Sequence, residues 1–270
     1  MPPPSDVDSD EELFGLPSEP EDYYLPSPPA SSRTHTLTTA AHEKLTISLV
    51  GQNPLWGHYL WNAALVLSRY LETHKSRLIQ DRSVLELGAG GGLPSLTCAL
   101  RGAASVVCTD YPDPSLVRNL QVNADALLKA HGGVVKVEGY LWGADTAPLI
   151  AHLPEEKRTE GFDTLLLSDL VFNHSEHAKL VDTVLRTMAK REASRALVFF
   201  TPHRPWLLEQ DLAFFESAKE KGLIVEKVLE ELLEKPMFEE DKGDRELRRT
   251  VFGYELRWGG FHSNEADVEV

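Results

Sequence analysis

A glycine-rich loop, an acidic residue and a tryptophan carry the clearest signal of ligand chemistry in this sequence. The loop is GAGGG at residues 88–92, and glycine lets a backbone turn sharply and approach a ligand closely. Asp110 follows Gly88 by 22 positions, and a carboxylate at about that spacing accepts hydrogen bonds from ribose hydroxyls. Trp142 comes later, where an indole can lie on an adenine face. These residues predict a site for an adenosine-containing ligand.

Alternating strands and helices must position these residues. Apolar runs predict buried strands over residues 83–87, 105–109, 134–140, 163–167 and 196–200. Helical periodicity predicts helices between and after them, one ending at Leu100 and others over residues 114–130, 178–191 and 206–221. This alternation is typical of a parallel, doubly wound sheet, in which ligands bind beyond the carboxyl ends of the strands. The loop, Asp110 and Trp142 all follow such strands.

Two late segments predict an antiparallel addition to the sheet. Residues 224–229 and 250–258 have strand character and are joined by a charged loop without a helix, so they should pair antiparallel. Five parallel strands with a late antiparallel hairpin outline the Rossmann-like, seven-stranded sheet of class I methyltransferases, an α/β fold. The dinucleotide fold has six parallel strands instead. Ahead of the sheet, KLTISLVG predicts a strand and WNAALVLSRYLETHK a helix.

Two residues beside the loop favour one adenosine-containing ligand over another. The dinucleotide fingerprint G-x-G-x-x-G needs a third glycine where this chain has Leu93. Glu86 lies two positions before the first glycine, and a carboxylate there would repel a pyrophosphate. It is compatible with the sulfonium and ammonium of S-adenosylmethionine, either directly or by holding the loop. We therefore predict S-adenosylmethionine as the cofactor.

The same motifs, with others, resemble the lysine methyltransferase family often called family 16. The resemblance covers roughly residues 40–260 and is carried by LWNAALVLSRYLE, VLELGAGGGLPS, VVCTDYPDP, GYLWG and LLLSDLVFNHSEH. Within the family, TDYPDP, SDLVFNHSEH and the closing VFGYELRW are most similar to fungal members that methylate translation elongation factor 1-alpha.

The resemblance implies roles for ten residues. For cofactor binding it implies Trp61, Trp56, Gly88, Ala89, Gly90, Asp110, Trp142 and Ser168. Trp56 is a second candidate for the place of Trp61, and Ser168 stands where the wider family often has alanine. For catalysis it implies Asp169 and Phe172, from a D-x-x-[FY] motif that lines the acceptor channel. Asp169 is expected to orient the amine, and Phe172 to hold the methylated cation by cation–π attraction.

The implied function is S-adenosylmethionine-dependent methylation of the N-terminal glycine and adjacent lysine of elongation factor 1-alpha, the expected protein partner. Two alternatives stay open on the residues alone. One is a small-molecule N-methyltransferase, for example acting on nicotinamide, and the other is a cofactor-binding module without turnover. Neither a G-x-S-x-G elbow nor a P-loop occurs, which disfavours serine hydrolases and nucleotide triphosphatases.

Two histidine-containing segments have other interpretations. His174-Ser175-Glu176-His177 lacks the spacing of H-E-x-x-H, so we expect no metal, and a helix cap by Ser175 or Asn173 is favoured. Asn173 or His174 is also a candidate substrate contact. His203, at the end of the fifth parallel strand, is a weaker candidate for the substrate entrance, with loop packing favoured.

Charge and composition set the remaining expectations. The net charge is −15, of which residues 1–35 carry −7 and the last six residues −3. We expect an acidic, Pro/Ser-rich disordered tail over 1–35, the methyltransferase domain over 36–262 and an acidic tail over 263–270.

Nothing resembles a nucleic-acid footprint, a membrane span or a signal peptide. Cys98 and Cys108 are expected to be reduced core residues. We therefore expect a cytoplasmic monomer without nucleic-acid or membrane partners.

Overall fold

The computed structural model of the chain describes residues 31–36, 44–132 and 135–260. Its strands are β1 Ser31–Thr36, β2 Lys44–Leu49, β3 Ser83–Leu87, β4 Ser105–Asp110, β5 Val135–Gly139, β6 Thr164–Ser168, β7 Arg195–Phe200, β8 Leu223–Leu232 and β9 Thr250–Trp258. Its α-helices are α1 Asn62–Thr73, α2 Lys75–Leu78, α3 Leu93–Leu100, α4 Pro114–His131, α5 Ala147–Ala151, α6 His177–Thr187, α7 Leu208–Glu220 and α8 Arg245–Arg248. Short 3-10 helices cover Glu155–Lys157, His174–Glu176 and Pro205–Leu207.

The main sheet has seven strands in the order β5-β4-β3-β6-β7-β9-β8. The five strands β3 to β7 pair with one another in parallel. β9 runs antiparallel to both β7 and β8. The predicted α/β class, with five parallel strands and a late antiparallel pair, is confirmed. The strand order reverses between β3 and β6, so the topological switch point lies beyond their carboxyl ends.

Helices cover both faces of the sheet because its central strands are apolar on both sides. Every residue of β3 and β6 is buried. One hydrophobic cluster packs Val84 of β3 with α1, α3 and α4, and the other packs Leu85 and Leu87 with α6 and α7. Successive side chains of a strand alternate between faces, so Glu86 lies on the side of α3 with Val84. The free cysteines Cys98 and Cys108 are buried in the first cluster, as predicted.

A small second sheet precedes the main sheet in the chain. β1 and β2 pair antiparallel, and Leu45, Ile47 and Leu49 of β2 are buried against the first cluster. The predicted strand KLTISLVG is thus present, and the domain boundary drawn after residue 35 falls inside β1. The remainder of the predicted N-terminal tail and the predicted C-terminal tail lie outside the described residues.

Most predicted element boundaries shift by one to three residues, and the largest departures from the structure are one helix end and one loop. The helix predicted over 178–191 ends at Thr187, because Phe162 donates its N–H to Thr187 O and accepts one from Ala189, which draws the chain back toward the sheet. The loop between β8 and β9, predicted to lack a helix, contains the single-turn α8, capped by the carboxylate of Asp244. Across the described ranges, helices are too short or too polar to cross a membrane.

Candidate active site

A cavity of about 340 Å³ opens beyond the carboxyl ends of the central strands, at the switch point. This volume lies within the usual range for small-ligand sites, about 300–1,000 Å³. All ten site residues predicted from the sequence line the cavity. The complete lining comes from five separate stretches of chain: 55–64, 88–91, 110–111, 140–142 and 168–179.

The glycine loop has a backbone that other residues adopt only under strain. Gly88, Gly90 and Gly92 have φ angles of +59°, +56° and +77°. A Cβ on Gly88 would meet Leu170 Cδ2 at 2.5 Å, whereas one on Gly90 would have no atom of the described part of the chain within 4 Å. Gly88 is therefore required by packing. At Gly90, open space beside the backbone leaves room for a ligand.

Asp110 ties the loop to the end of β4. Its Oδ2 accepts the N–H of Gly90 at 2.6 Å and its Oδ1 accepts the N–H of Tyr111 at 2.7 Å. Burial raises the pKa of Asp110, while these two backbone hydrogen bonds lower it. Each carboxylate oxygen has a second lone pair, so the side chain can still accept hydroxyl hydrogen bonds.

Trp142 lines the cavity directly beside the loop. A Cβ on Gly88 would lie 3.2 Å from its ring, so the indole and the loop backbone are in close contact. The turn that carries Trp142 is held by Tyr140, whose hydroxyl donates to Ala144 O, and by Gly143 N–H, which donates to Thr183 Oγ1 at 2.9 Å.

Glu86 lies behind the loop rather than in the cavity. It is fully buried, its Oε2 accepts the N–H of Ser95 in the first turn of α3, and burial raises its pKa to about 8. A group with this pKa is largely neutral at neutral pH. The sequence left open whether Glu86 faces the cofactor directly or holds the loop, and its hydrogen bond from Ser95 favours the second alternative.

Asp169 has a constrained backbone and side chain. Its φ is +53°, a conformation that is costly for a residue other than glycine and that clusters at functional sites. Its Oδ1 accepts the N–H of Thr201 at 2.8 Å. Its Oδ2 is buried and has no hydrogen-bond partner among the described residues. Ser168, immediately before it, lines the same wall.

Residues 201–204, which follow β7, pack behind this wall. His203 Nε2 lies 3.6 Å from Asp169 Oδ1, and the guanidinium of Arg204 donates to Phe172 O at 2.7 Å. His203 is therefore next to the predicted acceptor site without being part of the cavity lining. This arrangement could not be found from sequence, because the segment's only signal was its position after a parallel strand.

Trp56, Tyr59, Trp61 and Phe172 line the cavity, and Phe238 packs against two of them. Trp56 packs edge-on against Phe172, with ring centroids 5.4 Å apart, and is 48 % exposed. Trp61 packs edge-on against Tyr59, which in turn contacts Phe238 at 5.1 Å. The sequence reasoning missed Tyr59 and Phe238, because both lie outside predicted regular elements and meet only in the fold.

The His174–His177 segment has a structural role for most of its side chains. His174 Nε2 bonds Asp211 Oδ1 at 2.7 Å, and His177 Nε2 bonds Val171 O at 2.7 Å. Within the described ranges no group of histidine, cysteine and acidic residues could hold a metal. Asn173, one of the two predicted caps, occupies the N-cap position of the 3-10 helix but makes no side-chain capping bond. Ser175, the other, donates its Oγ–H to Asn173 Oδ1. Asn173 lines the cavity.

Comparison with known proteins identifies the class. The model of the family described as "Lysine methyltransferase" matches residues 40–221. A Neurospora crassa protein named protein N-terminal and lysine N-methyltransferase efm7 is 48 % identical over 261 residues, covering 94 % of this chain and 92 % of its own. Its Emericella nidulans counterpart is 46 % identical over 244 residues, covering 89 % and 93 %. The chain belongs to the lysine methyltransferase family.

A solved structure with the same fold is the Thermus thermophilus 16S rRNA N2 G1207 methyltransferase, in complex with AdoMet and guanosine. It aligns with a TM-score of 0.52 and 20 % identity over 87 % of this chain. The chain spans about half of that protein's length, 52 %. At this identity, the likeness shows the fold.

Proposed function

We propose that this protein uses S-adenosylmethionine to methylate the N-terminal glycine and adjacent lysine of translation elongation factor 1-alpha in the cytoplasm. The observation that carries the proposal is that one cavity joins a glycine loop and Asp110 to Asp169, whose carboxylate has one oxygen without a partner among the described residues. The names of the relatives, which describe N-terminal and lysine N-methyltransferases, support the acceptor assignment.

The cofactor half of the cavity fits S-adenosylmethionine. The backbone of residues 88–90 would hold its methionine end, where open space beside Gly90 leaves room. Asp110 would accept the ribose hydroxyls with its remaining lone pairs, and Trp142 would pack on the adenine. When bound, the cofactor supplies an electrophilic methyl group on a sulfonium. Trp61 or Trp56 would border it at the mouth.

The acceptor must arrive as a neutral amine. An N-terminal amine has a pKa of about 7.7–8.0, so a fair fraction is neutral near neutral pH, whereas a lysine at about 10.4 must lose a proton. Asp169 would accept an N–H of the amine and orient its lone pair toward the methyl group. Alignment of this kind can lower a barrier by roughly 7–11 kcal/mol.

The aromatic mouth would stabilise the product. Trp56 and Phe172 line the cavity next to Asp169, and their ring faces can attract a methylated ammonium by about 0.5–2 kcal/mol. The net charge of −15 favours a basic protein partner, because long-range attraction raises the association rate.

A direct transfer assay tests the proposal. The purified protein is incubated with methyl-labelled S-adenosylmethionine and elongation factor 1-alpha made in bacteria, and the N-terminal peptide is analysed by mass spectrometry. We expect methyl groups on the terminal amine and the adjacent lysine, and their loss from the matching position when the terminus is acetylated or the lysine is replaced by arginine. Cofactor binding without label on the factor, or label on nicotinamide instead, would contradict the proposal.

A further inference from the structure

The segment after β7 holds the acceptor motif at both of its ends. The N–H of Thr201 donates to Asp169 Oδ1 at 2.8 Å, and Arg204 donates to Phe172 O at 2.7 Å. Between them, the backbone N–H of His203 donates to Thr201 O at 2.8 Å. The imidazole is thereby held close to the Asp169 carboxylate.

The imidazole and the carboxylate are close but not bonded. His203 Nε2 lies 3.6 Å from Asp169 Oδ1, which is too long for a hydrogen bond. His203 Nε2 and Asp169 Oδ2 are both buried without a hydrogen-bond partner among the described residues. Leaving such groups unsatisfied is costly, and hydrogen bonds at active sites often tighten only when the ligand is bound.

The surroundings leave the imidazole little freedom. Its other side packs edge-on against Trp61, with centroids 4.9 Å apart, so the ring is confined between a predicted cofactor neighbour and the predicted acceptor carboxylate. Asp169 itself has a strained left-handed backbone. Strain of this kind persists where surrounding contacts fix one geometry, often at functional sites.

We propose that His203 is a positioning residue for the acceptor amine. Its Nε2–H donates to Oδ1 of Asp169, which fixes the carboxylate so that Oδ2 accepts an N–H of the amine. Oδ1 can take this second hydrogen bond beside that of Thr201, because a carboxylate oxygen has two lone pairs. The inference rests on the proposed function, since it assigns an amine as the group that Asp169 orients.

Two substitutions at His203 test the donor role by kinetics. His203→Leu removes the donor, whereas His203→Gln keeps an N–H near the position of Nε2. We expect His203→Leu to lower kcat and raise the acceptor KM, for a loss of about tenfold or more in kcat/KM, because one hydrogen bond to a charged group is lost. The cofactor Kd should stay within about twofold, and His203→Gln should recover most of the turnover.

The matched control is His152, whose Nε2 lies 2.9 Å from Glu138 Oε2. Neither residue lines the cavity. His152→Leu and His152→Gln should leave the acceptor kinetics unchanged. Wild-type turnover in His203→Leu would overturn the proposal. An equal loss in the leucine and glutamine variants, or an equal change in cofactor Kd, would also overturn it, because either pattern indicates a packing role.

A second measurement is independent of the acceptor and of any folding defect in the His203 variants. Nitrogen NMR of the wild-type protein with S-adenosylhomocysteine reports which ring nitrogen of His203 is protonated. We expect the proton on Nε2, with a signal that moves in Asp169→Ala, and a proton on Nδ1 alone would overturn the pairing. If the elongation factor is not labelled but this signature is present, the proposed function fails and the pairing stands.

Discussion

The two halves of the cavity differ in how completely their polar groups are satisfied. We define the cofactor half as residues 88–92, Asp110 and Trp142, and the acceptor half as residues 169–172 and 201–204. In the cofactor half, both carboxylate oxygens of Asp110 accept backbone N–H groups. In the acceptor half, Asp169 Oδ2, Thr201 Oγ1 and His203 Nε2 are buried without partners among the described residues.

The two halves also use backbone strain differently. The cofactor half places glycine at each of its left-handed positions, where it costs little. The acceptor half places Asp169 there, with a penalty of about 1–3 kcal/mol. On the proposed function, we infer from this difference that the cofactor half is formed before any ligand arrives, whereas the acceptor half is completed by the amine.

The largest expected effect is on turnover in the acceptor half. Asp169→Ala should lower kcat by about a hundredfold, because the amine loses the group that orients it, while the cofactor Kd changes by about twofold or less. Steady-state kinetics and calorimetric titration measure the two quantities separately. The opposite pattern, weak cofactor binding with retained turnover, would move Asp169 into the cofactor half.

A pair of glycine substitutions tests the preformed loop. Gly88→Ala adds a clash with Leu170 and Trp142 to the cost of a left-handed alanine, so it should destabilise the protein by about 2–4 kcal/mol. Gly90→Ala, with open space around its Cβ, should cost only about 1–2 kcal/mol but should weaken cofactor binding. Denaturant unfolding and calorimetry check both. Equal stability losses in the two variants would show that packing does not fix the loop.

A pH series tests whether the Glu86 carboxyl behind the loop is neutral in the folded protein. Because burial raises the pKa of Glu86 to about 8, its contribution to stability is complete below the unfolded pKa near 4.5 and is lost as the pH rises through about 8. The wild type should lose about 2 kcal/mol of unfolding free energy between about pH 6 and pH 8, and Glu86→Gln should not show this loss.

Asp163 provides the control, because its pKa is lowered where that of Glu86 is raised. Burial would raise its pKa, but hydrogen bonds from Ser83 and Lys157 lower it, so its stabilisation is present throughout that pH window. Asp163→Asn should therefore lower stability by an amount that does not vary between about pH 6 and pH 8. A wild-type slope that persists in Glu86→Gln would show that another group titrates there.

The smallest expected effect is on cofactor affinity. Asp110→Ala should raise the cofactor Kd by about tenfold, as expected for losing hydrogen bonds to a carboxylate. Asp110→Asn keeps an acceptor for Gly90 N–H and should raise the cofactor Kd less than Asp110→Ala does. Calorimetric titration with S-adenosylhomocysteine measures both, and an unchanged Kd in Asp110→Ala would remove the ribose assignment.

The same contrast explains what the sequence could and could not predict. The strands, the glycine loop and Asp110 are local patterns, and parallel strands bring their carboxyl ends together, so the cofactor half followed from spacing. Asp169 and Phe172 were found only through family resemblance. The pairing of His203 with Asp169 and the meeting of Tyr59 with Phe238 depend on long-range packing that no local pattern encodes. Whether Glu86 contacts the cofactor or holds the loop stayed open from the sequence, because its hydrogen bond with Ser95 of α3 depends on packing.

A crystal structure of the protein with S-adenosylhomocysteine and an acceptor peptide tests the account most directly. We expect the backbone of residues 88–92 to stay within about 1 Å of its present position, as in other preorganised sites. We also expect His203 Nε2 to approach Asp169 Oδ1 to about 2.8 Å, and Asp169 Oδ2 to accept an N–H of the amine. A rearranged glycine loop, or an amine bound away from an unchanged Asp169, would contradict the account.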